Sequence, residues 1–235
     1  MILGIAGEAG SGKDTISGII KKLVPNTLVV ALADPLKSLV QALYGFENDI
    51  LWGPSALRST SEVNYSRKRA LDAYDALDNE TLKELFPDKK ARKAFYEKLG
   101  RAIKYNLSEY PSCRECLKEI GTEVARNIDP NVWVKAVMGL ANVYLSDSID
   151  LVVISDCRFR NEILTIKQAG GKVLRIINPN QIDLAKDLHT SESSLAKIPS
   201  YWFDWQMVND KSFGLEALEE KLRDFRGELL WRAHS

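Results

Sequence analysis

Met1-Ile2-Leu3-Gly4-Ile5-Ala6-Gly7-Glu8-Ala9-Gly10-Ser11-Gly12-Lys13-Asp14-Thr15 opens the chain and decides its fold. A short, nearly continuous apolar run reads as a strand buried on both faces. It breaks into glycines and a lysine. Ile16, Ile19, Ile20 and Leu23 then recur at helical spacing over Lys13–Leu23. Strand, glycine-rich turn, lysine and helix in this order form a phosphate-binding P-loop. Gly7 and Gly12 are expected to take backbone angles that other residues resist, letting successive amides face phosphate oxygens. Lys13 adds a mobile positive charge, and the helix turns its N-terminal amides on the same anion. Gly10, Ser11, Gly12, Lys13, Asp14 and Thr15 are therefore the expected nucleotide cradle.

The residue after a P-loop lysine is ordinarily Ser or Thr, whose hydroxyl reaches a magnesium ion. Here Asp14 stands there and Thr15 follows. Asp14 can bind the metal directly or through water, since a carboxylate suits a hard cation. Alternatively, Thr15 supplies the hydroxyl and Asp14 acts as a local cap or the partner of a basic residue.

Composition narrows the class. The 235 residues suffice for one good core with a smaller lobe attached. The 32 basic and 32 acidic side chains cancel, which argues against non-specific nucleic-acid binding but leaves room for a local arginine pocket. No apolar run approaches the roughly eighteen residues of a membrane span. The direct entry into strand and loop leaves no room for a removable leader, so cytoplasmic residence is expected. Cys113 and Cys116 have CxxC spacing, and Cys157 is remote. With His189 and His234 as the only imidazoles, three reduced thiols without metal are expected.

Along the chain, strands are expected at Ile2–Ala6, Leu28–Ala33, Leu151–Ser155, Lys172–Ile177 and Trp205–Val208, with helices between them. This is a five-stranded parallel α/β/α sandwich, the P-loop NTPase architecture. Pro35 opens a helix over Leu36–Leu43. Residues 45–112 change character, with short helical segments at Ser66–Tyr74, Asn79–Leu85 and Lys89–Tyr105. They read as an inserted, lid-like helical lobe within one P-loop domain over 1–235. Regular helices are expected over Arg114–Ile128 and Val132–Ala141, Asn161–Gln168, Ser191–Lys197 and Gly214–Phe225. Trp202, Phe203 and Trp205 are candidates for either the core or a homodimer face.

Asp156-Cys157-Arg158-Phe159-Arg160-Asn161-Glu162 is the second strong signal. Asp156, at the end of a buried strand, takes the place of a Walker-B carboxylate that holds metal-bound water or orders Lys13. Arg158 and Arg160 can grip a polyphosphate by bidentate hydrogen bonds and neutralise charge during phosphoryl transfer. The plainer reading is a structural network with Asp156, Glu162 or Glu192. Open sheets bind ligands beyond their strand carboxyl ends, so Asp34 and Lys37 are expected near the same edge. Arg126 is a further candidate.

Together, GEAGSGKDT at Gly7–Thr15, ADPLK at Ala33–Lys37, LKEIGTEVARNIDPNVWV at Leu117–Val134 and ISDCRFRNE at Ile154–Glu162 resemble the bacteriophage deoxynucleoside monophosphate kinases. HTSE at His189–Glu192 is similar to a further motif of that family. The resemblance implies phosphoryl transfer from ATP, with Mg²⁺, to a deoxynucleoside monophosphate. It implies that GKDT is an ordinary family loop, and that Asp156, Arg158 and Arg160 lie in the family's arginine motif. It places Glu123, Arg126, Asp129 and Trp133 around the acceptor monophosphate. Two alternatives stay open: another small-molecule P-loop kinase similar to dephospho-coenzyme-A kinase, and a non-catalytic ATP-binding module.

Overall fold

The computed structural model describes residues 1–8, 10–77, 79–179, 195 and 197–233. They divide into two compact units, Met1–Leu32 with Val137–Ser235, and Ala33–Ala136.

The first unit carries the sheet. Its strands are β1 (Ile2–Gly7), β2 (Thr27–Val30), β3 (Leu151–Cys157), β4 (Lys172–Ile177) and β5 (Trp205–Val208), all parallel in the order β2-β3-β1-β4-β5. Successive side chains of a strand point to opposite faces, which sorts the core into layers. Leu3 and Ile5 of β1 join Leu151, Val153, Leu174 and Ile176 on one face. Ile16, Ile19 and Ile20 of α1 (Lys13–Leu23) pack there with Leu218, Leu222, Phe225 and Leu229 of the last helix, Gly214–Ala233. On the other face Gly4 has no room for a side chain, since a Cβ would meet Ile166 Cδ1 at 2.9 Å and Cys157 Sγ at 3.2 Å. Ile166 belongs to the helix Arg160–Gln168, which closes that side. The expected five-stranded parallel three-layer sandwich is what forms.

Several boundaries differ from the sequence expectation. β2 ends at Val30, whereas Leu28–Ala33 was expected. β3 runs to Cys157, so Asp156 lies inside the strand's last turn of pleat and not beyond it. Trp202, Phe203 and Trp205 pack within the chain. Trp205 meets Phe225 edge-on at 5.2 Å between centroids, and Phe203 is buried under Arg175, whose guanidinium lies 5.1 Å from its ring. Most of the expected helix Ser191–Lys197, and the HTSE motif with His189 and Glu192, lie outside the described residues.

The second unit is helical and has its own core. Its helices are α2 (Asp34–Tyr44), α3 (Asn48–Trp52), α4 (Arg67–Asp75), α5 (Asn79–Leu85), α6 (Lys89–Arg101) and α7 (Cys113–Lys118). Leu36, Leu39, Val40 and Leu43 share one apolar cluster with Phe46, Phe86, Phe95, Leu99, Ile120 and Val124. The segment 45–112 thus lies inside a larger unit whose core also recruits α2 and the residues up to Trp133. Where one long regular helix was expected over Arg114–Ile128, α7 gives way to a π-helical stretch at Glu119–Arg126. A second such stretch, Ala102–Asn106, ends α6, with the Leu107 N–H donating to Ala102 O at 3.0 Å. The helix Val132–Ser146, α8, follows; the helices Arg160–Gln168 and Gly214–Ala233 become α9 and α10. No helix of the described residues is long and apolar enough to cross a membrane.

Candidate active site

The loop after β1 is held open by backbone geometry. Gly10 has φ 72° and Gly12 φ 92°, the left-handed region where a Cβ is strained. The sequence reading named Gly7 and Gly12 for this property. Gly12 has it, but Gly7 is an ordinary strand residue needed for space: a Cβ there would sit 2.5 Å from Ser11 Oγ. Gly12 caps α1 without any side-chain hydrogen bond, so the first-turn amides have no side chain competing for them. Asp14 and Thr15 are exposed on that turn. Lys13 is buried, and its Nζ donates to the Glu8 carbonyl at 2.6 Å, holding the ammonium back across the loop. Ser11 Oγ is buried without a hydrogen-bond partner.

β3 lies beside β1, which brings Asp156 next to the loop's root. Gly4 pairs with Ile154 and Ala6 with Cys157, so two steps on β1 face three on β3. This bulge re-aims the side chains at Ser155 and Asp156. Asp156 Oδ1 accepts the Leu32 N–H at 2.6 Å, tying the ends of β2 and β3 together. Burial pushes the Cys157 thiol well above its ordinary value; Glu162 and Asp156 push the same way and Lys13 opposes them. Lys13, Asp156 and Glu162 therefore all bear on one buried sulfur.

Glu162 has a role the sequence reading did not give it. Its buried Oε2 accepts the N–H groups of Arg158 at 2.8 Å and Phe159 at 2.9 Å. A carboxylate at the third helical position reaching back to the N-cap amide is a capping geometry, legible in the spacing from Phe159 to Glu162. It fixes the backbone from which Arg158 and Arg160 project. Among the described residues no carboxylate lies within 4.0 Å of either guanidinium. Arg160 is exposed, its guanidinium 4.6 Å above the Trp202 ring.

In the second unit, Asp34 and Lys37 open α2. Asp34 Oδ1 accepts from Lys37 Nζ at 3.4 Å and from Trp52 Nε1 at 3.1 Å, while Lys37 Nζ sits 5.7 Å over the Trp52 ring. Trp52 was not singled out in the sequence; only the fold brings it back to Asp34. Glu123 is exposed and Arg126 half-buried on the π-helical stretch, whose wider turns displace them from the expected regular spacing. Asp129 forms the turn into α8, accepting from Asn131 N at 2.8 Å and Lys135 Nζ at 2.7 Å. Trp133 is buried and its indole N–H donates to Gly121 O at 3.1 Å. This bond braces the junction between the π-helical stretch and α8.

The donor set at the loop is all oxygen: Asp14 and Thr15 on the first turn, Asp156 at the strand end. It fits a hard divalent cation. Among the described residues no three His, Cys, Asp or Glu side chains converge, and Mg²⁺ carried on a polyphosphate needs only one or two carboxylates. Cys113, Cys116 and Cys157 are all free and buried.

The sequence profile of the deoxynucleotide monophosphate kinase family matches residues 1–222. The deoxynucleoside-5'-monophosphate kinase of Escherichia phage T5 is 24% identical, with 96% of this chain and 95% of that protein covered. A relative from Acanthamoeba polyphaga mimivirus is 26% identical over 90% of each chain. The deoxynucleotide monophosphate kinase of Escherichia phage RB69 is 30% identical over 54% of this chain and 49% of its own.

Proposed function

Because this chain belongs to the deoxynucleotide monophosphate kinase family, we propose that it moves the γ-phosphoryl group of ATP, with Mg²⁺, to a deoxynucleoside 5'-monophosphate. The observation that carries this reading is the cradle after β1. Two left-handed glycines turn the loop, α1 starts without a side-chain cap, and the buried Lys13 ammonium is anchored across the loop. A polyphosphate is the ligand that satisfies such a set of donors.

We assign the donor nucleotide to Gly10–Thr15. An oxygen of the acceptor monophosphate attacks the γ-phosphorus in line, and the bond to the β,γ-bridging oxygen breaks, releasing ADP. Lys13, Arg158 and Arg160 supply positive charge where it accumulates on the equatorial oxygens. The monophosphate dianion is itself nucleophilic, so no strong general base is required. Mg²⁺, when bound through Asp156 and either Asp14 or Thr15, would neutralise phosphate charge.

We assign acceptor handling to Asp34, Lys37, Glu123, Arg126 and Trp133, with Asp129 shaping the turn beside them. The 45–112 segment is proposed to set base preference and to exclude water during transfer. We place the reaction in the cytoplasm as part of the same proposal.

The test is ADP release from ATP against a panel of acceptors: the four deoxynucleoside monophosphates, dephospho-coenzyme A and none. Turnover stimulated by deoxynucleoside monophosphates supports the reading. Turnover with dephospho-coenzyme A alone, or ATP binding with no acceptor-dependent turnover, replaces it with one of the two alternatives.

A further inference from the structure

Asn209 lies 198 positions from Ser11, yet its Nδ2 donates to the Ser11 carbonyl at 2.8 Å, in a buried contact. The same Nδ2 fills the space over Gly12, where a Cβ would come to 2.4 Å. Asn209 has little freedom to be elsewhere. It follows directly on β5, and its N–H donates to Ile177 O at 2.9 Å, extending the ladder between β4 and β5 by one step. The next residue is fixed as well: Asp210 Oδ1 accepts from Ser212 N at 2.9 Å and Ser212 Oγ at 2.8 Å.

The consequence follows from the planarity of the peptide. In a trans peptide the C=O and N–H point in opposite directions. Anchoring the Ser11 carbonyl on one side therefore fixes the Gly12 N–H on the other. That N–H donates to no described residue. Glycine at φ 92° is the position with the most freedom to turn this peptide over. An amide that must meet a phosphate oxygen gains from being held in its bound orientation beforehand.

We propose that Asn209 is a positioning residue for the phosphate-binding loop: it pins the Ser11–Gly12 peptide so that the Gly12 N–H is preset to donate to the triphosphate. The inference rests on the phosphate-binding reading of this loop. It assigns the segment after β5 a part in ATP binding that acts wholly through the backbone of another segment.

The test uses the full chain with Asn209→Ala and Asn209→Asp. Asparagine to alanine removes the donor, while aspartate keeps the shape and sets a carboxylate against the Ser11 carbonyl. ATP and ADP dissociation constants are read by calorimetry, KM values for ATP and for an accepted monophosphate by ADP release, and folding by thermal midpoint. Asn209→Ala is expected to weaken ATP about three- to tenfold, the worth of one hydrogen bond, and Asn209→Asp more. The acceptor KM stays within about twofold, and at least one variant keeps a thermal midpoint near the parent's. Unchanged ATP affinity in both variants overturns the proposal. So does an equal rise in both KM values, or failure of both variants to fold, since each leaves only a structural brace. If the parent chain itself binds neither ATP nor ADP, the reading of the loop fails instead, and the variants are not needed to see it.

Discussion

Lys13 Nζ donates to the carbonyl oxygen of Glu8 at 2.6 Å, so the ammonium bridges the loop from the first residue of α1 to the residue after β1. Lys13 is buried, and taking an ammonium out of water is costly. An incoming phosphate supplies the opposite charge.

Lys13→Ala is expected to lower kcat for phosphoryl transfer by about a hundredfold or more, the size of losing one strong transition-state donor. Removing a buried charge should leave the thermal midpoint unchanged or raised. ADP-release kinetics and a melting curve check both; near-parental turnover in folded protein would rule out the assignment of the loop.

Glu162 is the buried carboxylate on which the Arg158 and Phe159 amides converge. Glu162→Ala leaves two donors without it and should destabilise the chain by about 2–3 kcal/mol in urea unfolding; Glu162→Gln, which still offers one oxygen, should cost about half as much. Equal midpoints for both variants and the parent would show that the cap contributes nothing.

Asp156→Asn keeps an oxygen for the Leu32 N–H but loses the negative charge. Its expected signature is a higher Mg²⁺ requirement and a kcat lowered about a hundredfold, with little change in stability. Titrating turnover against Mg²⁺ separates this from a folding defect. A parental Mg²⁺ curve removes Asp156 from the metal assignment.

Burial pushes the Cys113 thiol from 9.0 up to about 11, outweighing Arg58, Lys37 and Arg114, and Cys116 and Cys157 move in the same direction. Between pH 9 and about 11 the folded chain keeps protons on thiols that the unfolded chain has released. The unfolded state then binds fewer protons, so stability present below pH 9 is lost as pH rises through this window. Unfolding in urea from pH 8 to 10.5 should show the decline, and a thiol reagent at pH 8 should label the cysteines only after denaturation. Rapid labelling of all three in the native chain would contradict their burial.

Arg126→Ala should raise KM for the monophosphate about tenfold or more while leaving KM for ATP within about twofold, as expected for a lost charge-assisted contact to the acceptor alone. A matching rise for ATP would move Arg126 out of the acceptor's surroundings.

How far the sequence could be read depended on how local each feature was. The P-loop, its helix and the strand before it occupy one stretch, and their hydrophobic period and glycine spacing are local properties. Gly7 shows the limit even there, because its need is space against Ser11 and not a special angle. The Glu162 cap was available from spacing but was hidden behind the neighbouring arginines, whose charge invited pairing with it. Trp52 meeting Asp34, and Trp133 committing its N–H to Gly121, depend on helix packing. The π-helical stretch at Glu119–Arg126 depends on it too, since apolar spacing alone reads as an ordinary helix.

By itself, the order of residues determined a parallel sheet with a nucleotide cradle after its first strand, because backbone freedom, charge and apolar period act over a few neighbours. Only the tertiary structure decided that Asn209 braces that cradle and that 33–136 close around a separate helical core. Contacts between residues far apart in the chain arise when strands and helices stack to bury apolar surface, and no short window of sequence contains both partners.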